Sequence, residues 1–246
     1  MQKIKRLLRY FTLTEKTLWC CSAAGMTVSF LLFDRSGGLT LAASLIGVTS
    51  LIFSAKGNPA GQVLMIVFSL LYGVISASCA YYGEMLTYLG MTMPMAAAAL
   101  IAWLRHPYGG KRSSVCVGRV SGRSAVLLCL LTAAVTAGFC PVLAYFHTAH
   151  LCLSTLSVAT SFAAVYLTAL RSPFFAAAYA ANDLVLILLW SAATASDRRY
   201  LPVTVCFAAF LVNDLYGFVS WRRMARIQAD GTQKSPRSPE RTAEGS

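Results

Sequence analysis

Residues 174–195 read FFAAAYAANDLVLILLWSAATA, an apolar run long enough to cross a lipid bilayer. A transmembrane helix needs about 20 such residues, and a helix that is apolar on all sides belongs in lipid or in a large core. Seven more runs of this kind occupy residues 15–33, 39–55, 60–81, 84–104, 124–146, 150–170 and 201–221. We therefore predict an all-α integral membrane protein with about eight transmembrane helices.

The composition of the chain supports this prediction. Of its 246 residues, 57% are hydrophobic and only 12% are charged, which is about half the charged share of a typical soluble domain. The net charge of +12 could suggest nucleic acid. However, the basic residues lie between the apolar runs and at the two ends, where they orient a membrane protein. We therefore expect no nucleic-acid partner.

The chain shows no sequence motif of an enzyme or of a cofactor site. A phosphate-binding loop, a dinucleotide-binding glycine pattern and the common hydrolase motifs are all missing. The eight cysteines form no CxxC pair, and most lie in apolar runs, where cysteine packs as a small apolar residue. His147 and His150 fall in a short external loop. We expect no enzymatic activity, no cofactor and no metal.

The basic residues also predict the orientation in the membrane. With eight spans and a cytoplasmic N-terminus, 18 of the 21 Lys and Arg residues lie on the cytoplasmic side. Only Arg35, Arg198 and Arg199 lie outside. Cytoplasmic loops are enriched in Lys and Arg, so we predict that both termini and the 105–123 loop are cytoplasmic.

Three aromatic positions recur in the second half of the chain at a constant separation of 118 residues. This separation predicts a parallel duplication of a three-helix unit, joined by a linker helix. Parallel repeats occur in transporters, which hold substrate at the repeat interface near the membrane midplane. The recurring residues are Tyr72, Tyr82 and Trp103, followed by Trp190, Tyr200 and Trp221.

The repeat divides the chain into five predicted regions. A basic N-terminus with an extra transmembrane helix precedes the first three-helix repeat, and a basic loop with the linker helix precedes the second. A disordered cytoplasmic tail follows, because its sequence is polar and rich in Ser-Pro pairs. The regions are residues 1–38, 39–105, 106–149, 150–224 and 225–246.

Two Asn-Asp pairs lie inside predicted spans. Asn182-Asp183 and Asn213-Asp214 each sit eight residues, or about 12 Å, from the predicted cytoplasmic ends of their helices. Ionisable residues within a membrane face the protein interior and mark functional sites by default. The two Asp residues have an equally good structural interpretation, as hydrogen-bond partners between helices.

Aromatic residues accompany these pairs at helical spacing. Steps of three and four residues place Tyr179 and Trp190 on the face of Asn182, and Trp221 on the face of Asn213. The first repeat offers a corresponding set with Glu84 and a Pro94 that should kink its helix. The candidate substrate-binding residues are Asn182, Trp190, Asn213, Asp183, Asp214, Tyr179, Tyr72, Tyr82, Tyr88 and Trp221.

Residues 70–110 and 178–224 resemble the nicotinamide riboside transporter family (PnuC), most specifically in NDLYGFVSW at 213–221 and YLP at 200–202. The resemblance implies a SWEET-like fold of three plus one plus three helices, assembled as a homotrimer. It also implies a facilitator that passes nicotinamide riboside, a vitamin B3 precursor of NAD, down its gradient. A cytoplasmic nicotinamide riboside kinase then traps the substrate by phosphorylation.

The residues leave several substrates open. Nicotinamide riboside carries a pyridinium cation, which suits a site with acids and aromatic rings and no base. Thiamine is also an aromatic cation, riboflavin is neutral and fits less well, and a sugar facilitator of the related fold would use the same Asn and aromatic residues. A membrane enzyme and a sensor or assembly protein are the alternatives from other classes.

Overall fold

Eight helices long and apolar enough to cross a membrane make up the fold. The computed structural model describes residues 10–34, 38–78, 81–148 and 150–233. Arg35, Cys79, the basic residues before Tyr10 and the tail from Lys234 lie outside the described residues. The helices are α1 (Leu13–Phe33), α2 (Gly38–Ala55), α3 (Ala60–Ser78), α4 (Tyr82–Arg105), α5 (Gly122–Tyr145), α6 (Leu151–Ala169), α7 (Phe174–Ser196) and α8 (Leu201–Gln233). The predicted class and number of helices are confirmed.

Six of the helices form a closed ring. Going round it, α2 packs on α3, α3 on α4, α4 on α6, α6 on α7, α7 on α8, and α8 returns to α2. These are the six helices of the two predicted repeats. The predicted extra helix α1 lies outside the ring against α2 and α8, and the predicted linker α5 lies outside it against α6. The division into repeats stays a prediction, and this arrangement is compatible with it.

Helix α4 departs from regular geometry where Pro94 was expected to disturb it. Its middle part, Thr87–Thr92, is a π-helix, flanked by α-helical Tyr82–Leu86 and Met93–Arg105. Proline has no N–H to donate to the preceding turn, so one carbonyl of that turn loses its usual partner. The wider hydrogen-bond spacing of a π segment lets backbone groups next to the proline find other partners. Single π turns inside helices are frequent at functional sites.

One end of the ring carries most of the described basic residues, among them Lys56, Arg105, Arg171 and Arg222. We call it the basic end. A short antiparallel hairpin there pairs β1 (Pro107–Tyr108) with β2 (Lys111–Val115).

The region predicted as a disordered tail from residue 225 starts too early, because α8 continues through Gln233. The side chain of Gln228 explains the extension. Its amide donates to the carbonyl of Val115 at 3.0 Å, and its Oε1 accepts from the backbone N–H of Val117 at 2.8 Å. The polar residues of this segment are therefore tied to the basic-end loop and form a helix beyond the apolar run.

Candidate functional site

The centre of the ring holds a direct hydrogen bond between two predicted site residues. The indole Nε1 of Trp190 on α7 donates to the hydroxyl of Tyr72 on α3 at 2.7 Å. Trp190 is completely buried and Tyr72 is nearly so. The polar group of a Trp or Tyr side chain needs a hydrogen-bond partner when it is buried. Here the Trp190 N–H and the Tyr72 hydroxyl are partners of each other.

Further aromatic rings surround this pair. Tyr88 on α4 meets the Tyr72 ring edge to face at 4.4 Å between centroids. Gly73 permits this close approach of α3 and α4, because a Cβ at that position would lie 2.5 Å from Leu89 Cγ. The rings of Phe68 and Phe207 also pack on Tyr72, at 5.6 and 5.5 Å. The result is an aromatic cluster contributed by helices of both predicted repeats.

Tyr81, and not the predicted site residue Tyr82, lies beside Trp190. The Tyr81 ring lies 4.7 Å from that of Trp190 at an angle of 33°. Tyr82 instead packs on Phe146 at 6.0 Å and is 37% exposed. The 118-residue spacing singled out Tyr82, but the turn between α3 and α4 aims its neighbour into the cluster. Only the doubled tyrosine at 81–82 could have pointed to Tyr81.

Asn182 lies buried between α6 and α7. Its Oδ1 accepts hydrogen bonds from Thr160 at 2.8 Å and from Ser161 at 3.0 Å. Two hydroxyl donors fix the orientation of the amide, so that its nitrogen remains available as a donor. Neither hydroxyl was noticed in the sequence, since Ser and Thr are common in transmembrane helices and carry no spacing signal there.

Asn213 lies against helix α1, outside the ring. Its Nδ2 donates to Ser22 on α1 at 3.0 Å and to the carbonyl of Ala209 at 2.7 Å. Its Oδ1 is buried and has no partner among the described residues. The structure therefore places Asn213 against the extra helix, with one acceptor left over for a ligand.

Asp183 and Asp214 lie together, as their equal predicted depth suggested. Their carboxyl groups are within hydrogen-bonding reach of each other, and both residues are buried. A carboxylate only accepts hydrogen bonds, so a hydrogen bond between the two groups would require a proton on one of them. Throughout the described part of the chain, neither forms an ion pair with Lys, Arg or His.

Two predicted residues lie toward the basic end, in a second cluster. Trp221 is completely buried and donates to the carbonyl of Ser54 at 2.7 Å. Its ring lies 5.3 Å from that of Trp103, whose own indole donates to the carbonyl of Thr168 at 2.9 Å. Tyr179 packs against this cluster through Phe175 at 6.2 Å. Trp221 and Trp190 thus belong to separate clusters.

The centre of the ring also contains buried polar groups that lack partners. Within the described ranges these include Ser69, Ser76, both oxygens of Glu84, Ser157, and Oδ2 of Asp183. Nearly all buried polar groups in native proteins have a partner, which can be protein, water or ligand. A polar ligand bound at the centre of the ring can supply the partners that these groups lack.

The chemistry of these residues restricts the ligand. The site offers amide and hydroxyl groups, three carboxyl groups and several ring faces. No three metal-ligating residues come together anywhere in the described part of the chain. The arrangement can hold a small polar molecule with an aromatic ring by hydrogen bonding and stacking. It suits a neutral or cationic molecule better than an anion.

Known proteins resemble this chain at the levels of family and fold. A family model described as "Nicotinamide mononucleotide transporter" matches residues 37–223. The nicotinamide riboside transporter PnuC of Neisseria mucosa is 22% identical over 215 residues, covering 86% of this chain and 82% of its own. The solved structure "Crystal structure of the Vitamin B3 transporter PnuC" aligns with a TM-score of 0.78 at 21% identity, over 89% of this chain and 94% of that one.

These matches confirm the family inferred from the sequence. The structural likeness, at its low sequence identity, establishes the fold. The family model covers well over half of the chain and includes all of the first segment that carries the resemblance and the second as far as residue 223. The protein is therefore a multi-pass membrane transporter of the nicotinamide mononucleotide transporter family.

Proposed function

We propose that this transporter carries nicotinamide riboside and that the aromatic cluster around Trp190 and Tyr72 is its binding site. The observation that carries the proposal is the composition of this membrane-buried centre. It has ring faces, amides and carboxyl groups, and none of the described Lys and Arg residues lies in it. A pyridinium ring can stack on Trp190 and Tyr81, while Asn182 hydrogen-bonds a ribose hydroxyl or the carboxamide.

The same composition argues against the phosphorylated mononucleotide named by the family description. Phosphate recognition inside a protein uses Arg or Lys, or a helix N-terminus. The carboxyl groups of Glu84, Asp183 and Asp214 would instead repel a phosphate. The riboside named for the Neisseria relative therefore fits this centre better than the mononucleotide.

Transport is proposed to be facilitated diffusion in a bacterial inner membrane, with both termini cytoplasmic. We further propose that the protein has the SWEET-like fold and assembles as a homotrimer. A cytoplasmic nicotinamide riboside kinase is its proposed functional partner. The kinase would trap the riboside, because the phosphorylated product no longer fits the centre. Support for this scheme comes from the resemblance and from the basic residues gathered at one end of the ring.

Binding measurements on the purified protein test the substrate. Nicotinamide riboside, nicotinamide mononucleotide, thiamine and riboflavin are titrated side by side, with thermal stabilisation as an independent readout. We expect the riboside to bind most tightly and the mononucleotide to bind weakly. Thiamine also carries a cationic aromatic ring. If thiamine bound more tightly than the riboside, thiamine would become the proposed substrate.

A further inference from the structure

Among the described residues, Glu84 is a buried acid whose carboxyl oxygens are both unpartnered. It lies on α4, one turn before the π segment, and its side chain is completely buried. Both carboxyl oxygens lack a hydrogen-bond partner among the described residues. The described part of the chain also supplies no cation to Glu84. A buried carboxylate without a partner is strongly unfavourable, so the group needs a partner that the described residues do not supply.

The surroundings of Glu84 indicate what that partner is. Its carboxyl group interacts electrostatically with Tyr72 and Tyr88, the two rings that meet at 4.4 Å. The hydroxyl of Ser157 on α6 faces the carboxyl without forming a hydrogen bond of standard geometry, so Ser157 also stays unpartnered. Aromatic faces beside a carboxylate are the usual environment for an organic cation.

The other two acids are less suited to this role. Asp183 and Asp214 are within hydrogen-bonding reach of each other, and a shared proton leaves them together with a single negative charge. That charge is shared between two carboxyl groups that already interact with each other, so it is less available to a substrate. Glu84 has no such contact and interacts electrostatically with Tyr72, whose hydroxyl accepts a hydrogen bond from Trp190.

We infer that Glu84 is the counter-ion that selects a cationic substrate at the Tyr72–Trp190 site. The carboxylate stabilises the positive charge of the bound ring, and the Ser157 hydroxyl donates to whichever carboxyl oxygen the ligand leaves open. This inference rests on the proposed function and adds to it. It assigns the preference for charge to one residue that the sequence showed only as a neighbour of the aromatic set.

A pair of ligands of nearly equal shape tests the assignment. Nicotinamide riboside is a cation, whereas its 1,4-dihydro form is neutral. The pyridinium nitrogen has no proton to donate, but opposite charges attract strongly in a site with little water, so the wild-type protein should prefer the cation by at least about tenfold in Kd. Glu84→Gln keeps the shape and removes the charge. It should abolish most of this preference by weakening binding of the cation, while the dihydro form binds as before.

Glu15 provides a matched control. It is also a buried acid, but its charge is already paired with Lys56 at 3.1 Å. Glu15→Gln should therefore leave the preference for the cation unchanged. Preference retained in folded Glu84→Gln protein would overturn the inference, as would its loss in Asp183→Asn protein alone.

Two comparisons keep the inference testable if Glu84→Gln does not fold. Equal binding of both ligands by the wild-type protein contradicts it without any variant. Glu84→Asp retains the charge but withdraws it by one methylene group, and should weaken binding of the cation more than binding of the dihydro form. Equal losses would contradict the inference. A wild-type protein that binds neither form would instead disprove the proposed function.

Discussion

The indole of Trp190 donates a 2.7 Å hydrogen bond to the hydroxyl of Tyr72, and the two residues are 118 positions apart. Trp103 and Trp221, separated by the same number of residues, also lie in contact, at 5.3 Å between ring centroids. Equivalent residues of two repeats touch each other when they lie on the axis that relates the repeats. The predicted duplication would thus place its axis through the middle of the ring, with one aromatic pair at the substrate centre.

Truncation of Trp190 tests its proposed role as the stacking surface. Trp190→Ala removes the ring face and the hydrogen bond to Tyr72, and we expect nicotinamide riboside to bind about 5- to 150-fold more weakly. Isothermal titration measures the loss. Trp19→Ala is the control, because Trp19 is partly exposed and bonds Thr49 away from the centre. Similar affinities for both variants would place the site elsewhere.

Removal of the Asn182 amide tests the predicted hydrogen bond to substrate. Asn182→Ala should weaken binding about 5- to 150-fold, since one buried hydrogen-bond partner is worth about 1–3 kcal/mol. Asn182→Asp is informative in addition, because it retains the acceptor for Thr160 and Ser161 and replaces the amide donor by an ionisable carboxyl oxygen. An unchanged Kd in both variants, with normal thermal stability, would show that Asn182 only joins α6 to α7.

The contact between Asp183 and Asp214 predicts that these residues join α7 to α8. Asp183→Asn should preserve expression, thermal stability and transport, because an amide can donate to the remaining carboxyl group. Asp183→Leu leaves the buried carboxyl group of Asp214 without this partner and should lower the free energy of unfolding by about 1–3 kcal/mol. Thermal unfolding and uptake measure the two effects. A folded Asp183→Asn protein with lowered substrate affinity would mean that the pair holds the substrate.

Labelling of engineered cysteines tests the predicted orientation. His147 and Arg112 are both exposed, at opposite ends of the ring. In a background without native cysteines, a reagent that cannot cross the membrane should label His147→Cys from outside intact cells and should miss Arg112→Cys. Permeabilised cells provide the control, since both positions should then react. External labelling of Arg112→Cys would reverse the proposed orientation.

The apolar runs predicted the fold closely because lipid allows few alternatives. Each backbone polar group in a bilayer must be paired within its own segment, so length and hydropathy largely determine the helices. The start of α7 at Phe174 and the end of α2 at Ala55 coincide with the predicted boundaries. The end of α8 does not, because a side chain, Gln228, rather than hydropathy extends the helix.

The candidate site was harder to predict, because helical spacing reports a face but not its neighbour. Spacing brought Trp190 and Tyr72 to notice, and they do meet. Spacing could not predict that Asn213 donates a hydrogen bond to Ser22 on the extra helix α1. It also could not predict that the Trp221 indole donates to the carbonyl of Ser54 at the basic end. The sequence showed Glu84 only as a member of the polar and aromatic set of the first repeat. Its importance appears only when the tertiary structure leaves its carboxyl group without a partner.

Uptake by the purified protein in liposomes is the most direct test of the central claim. Labelled nicotinamide riboside is supplied outside vesicles without ATP, membrane potential or ion gradient. The proposal predicts rapid entry that stops when the internal and external concentrations are equal, with Trp190→Ala vesicles much slower at low substrate concentration. Entry no faster than into protein-free vesicles would contradict transport of this substrate. Accumulation above the external concentration under an imposed pH gradient would contradict facilitated diffusion.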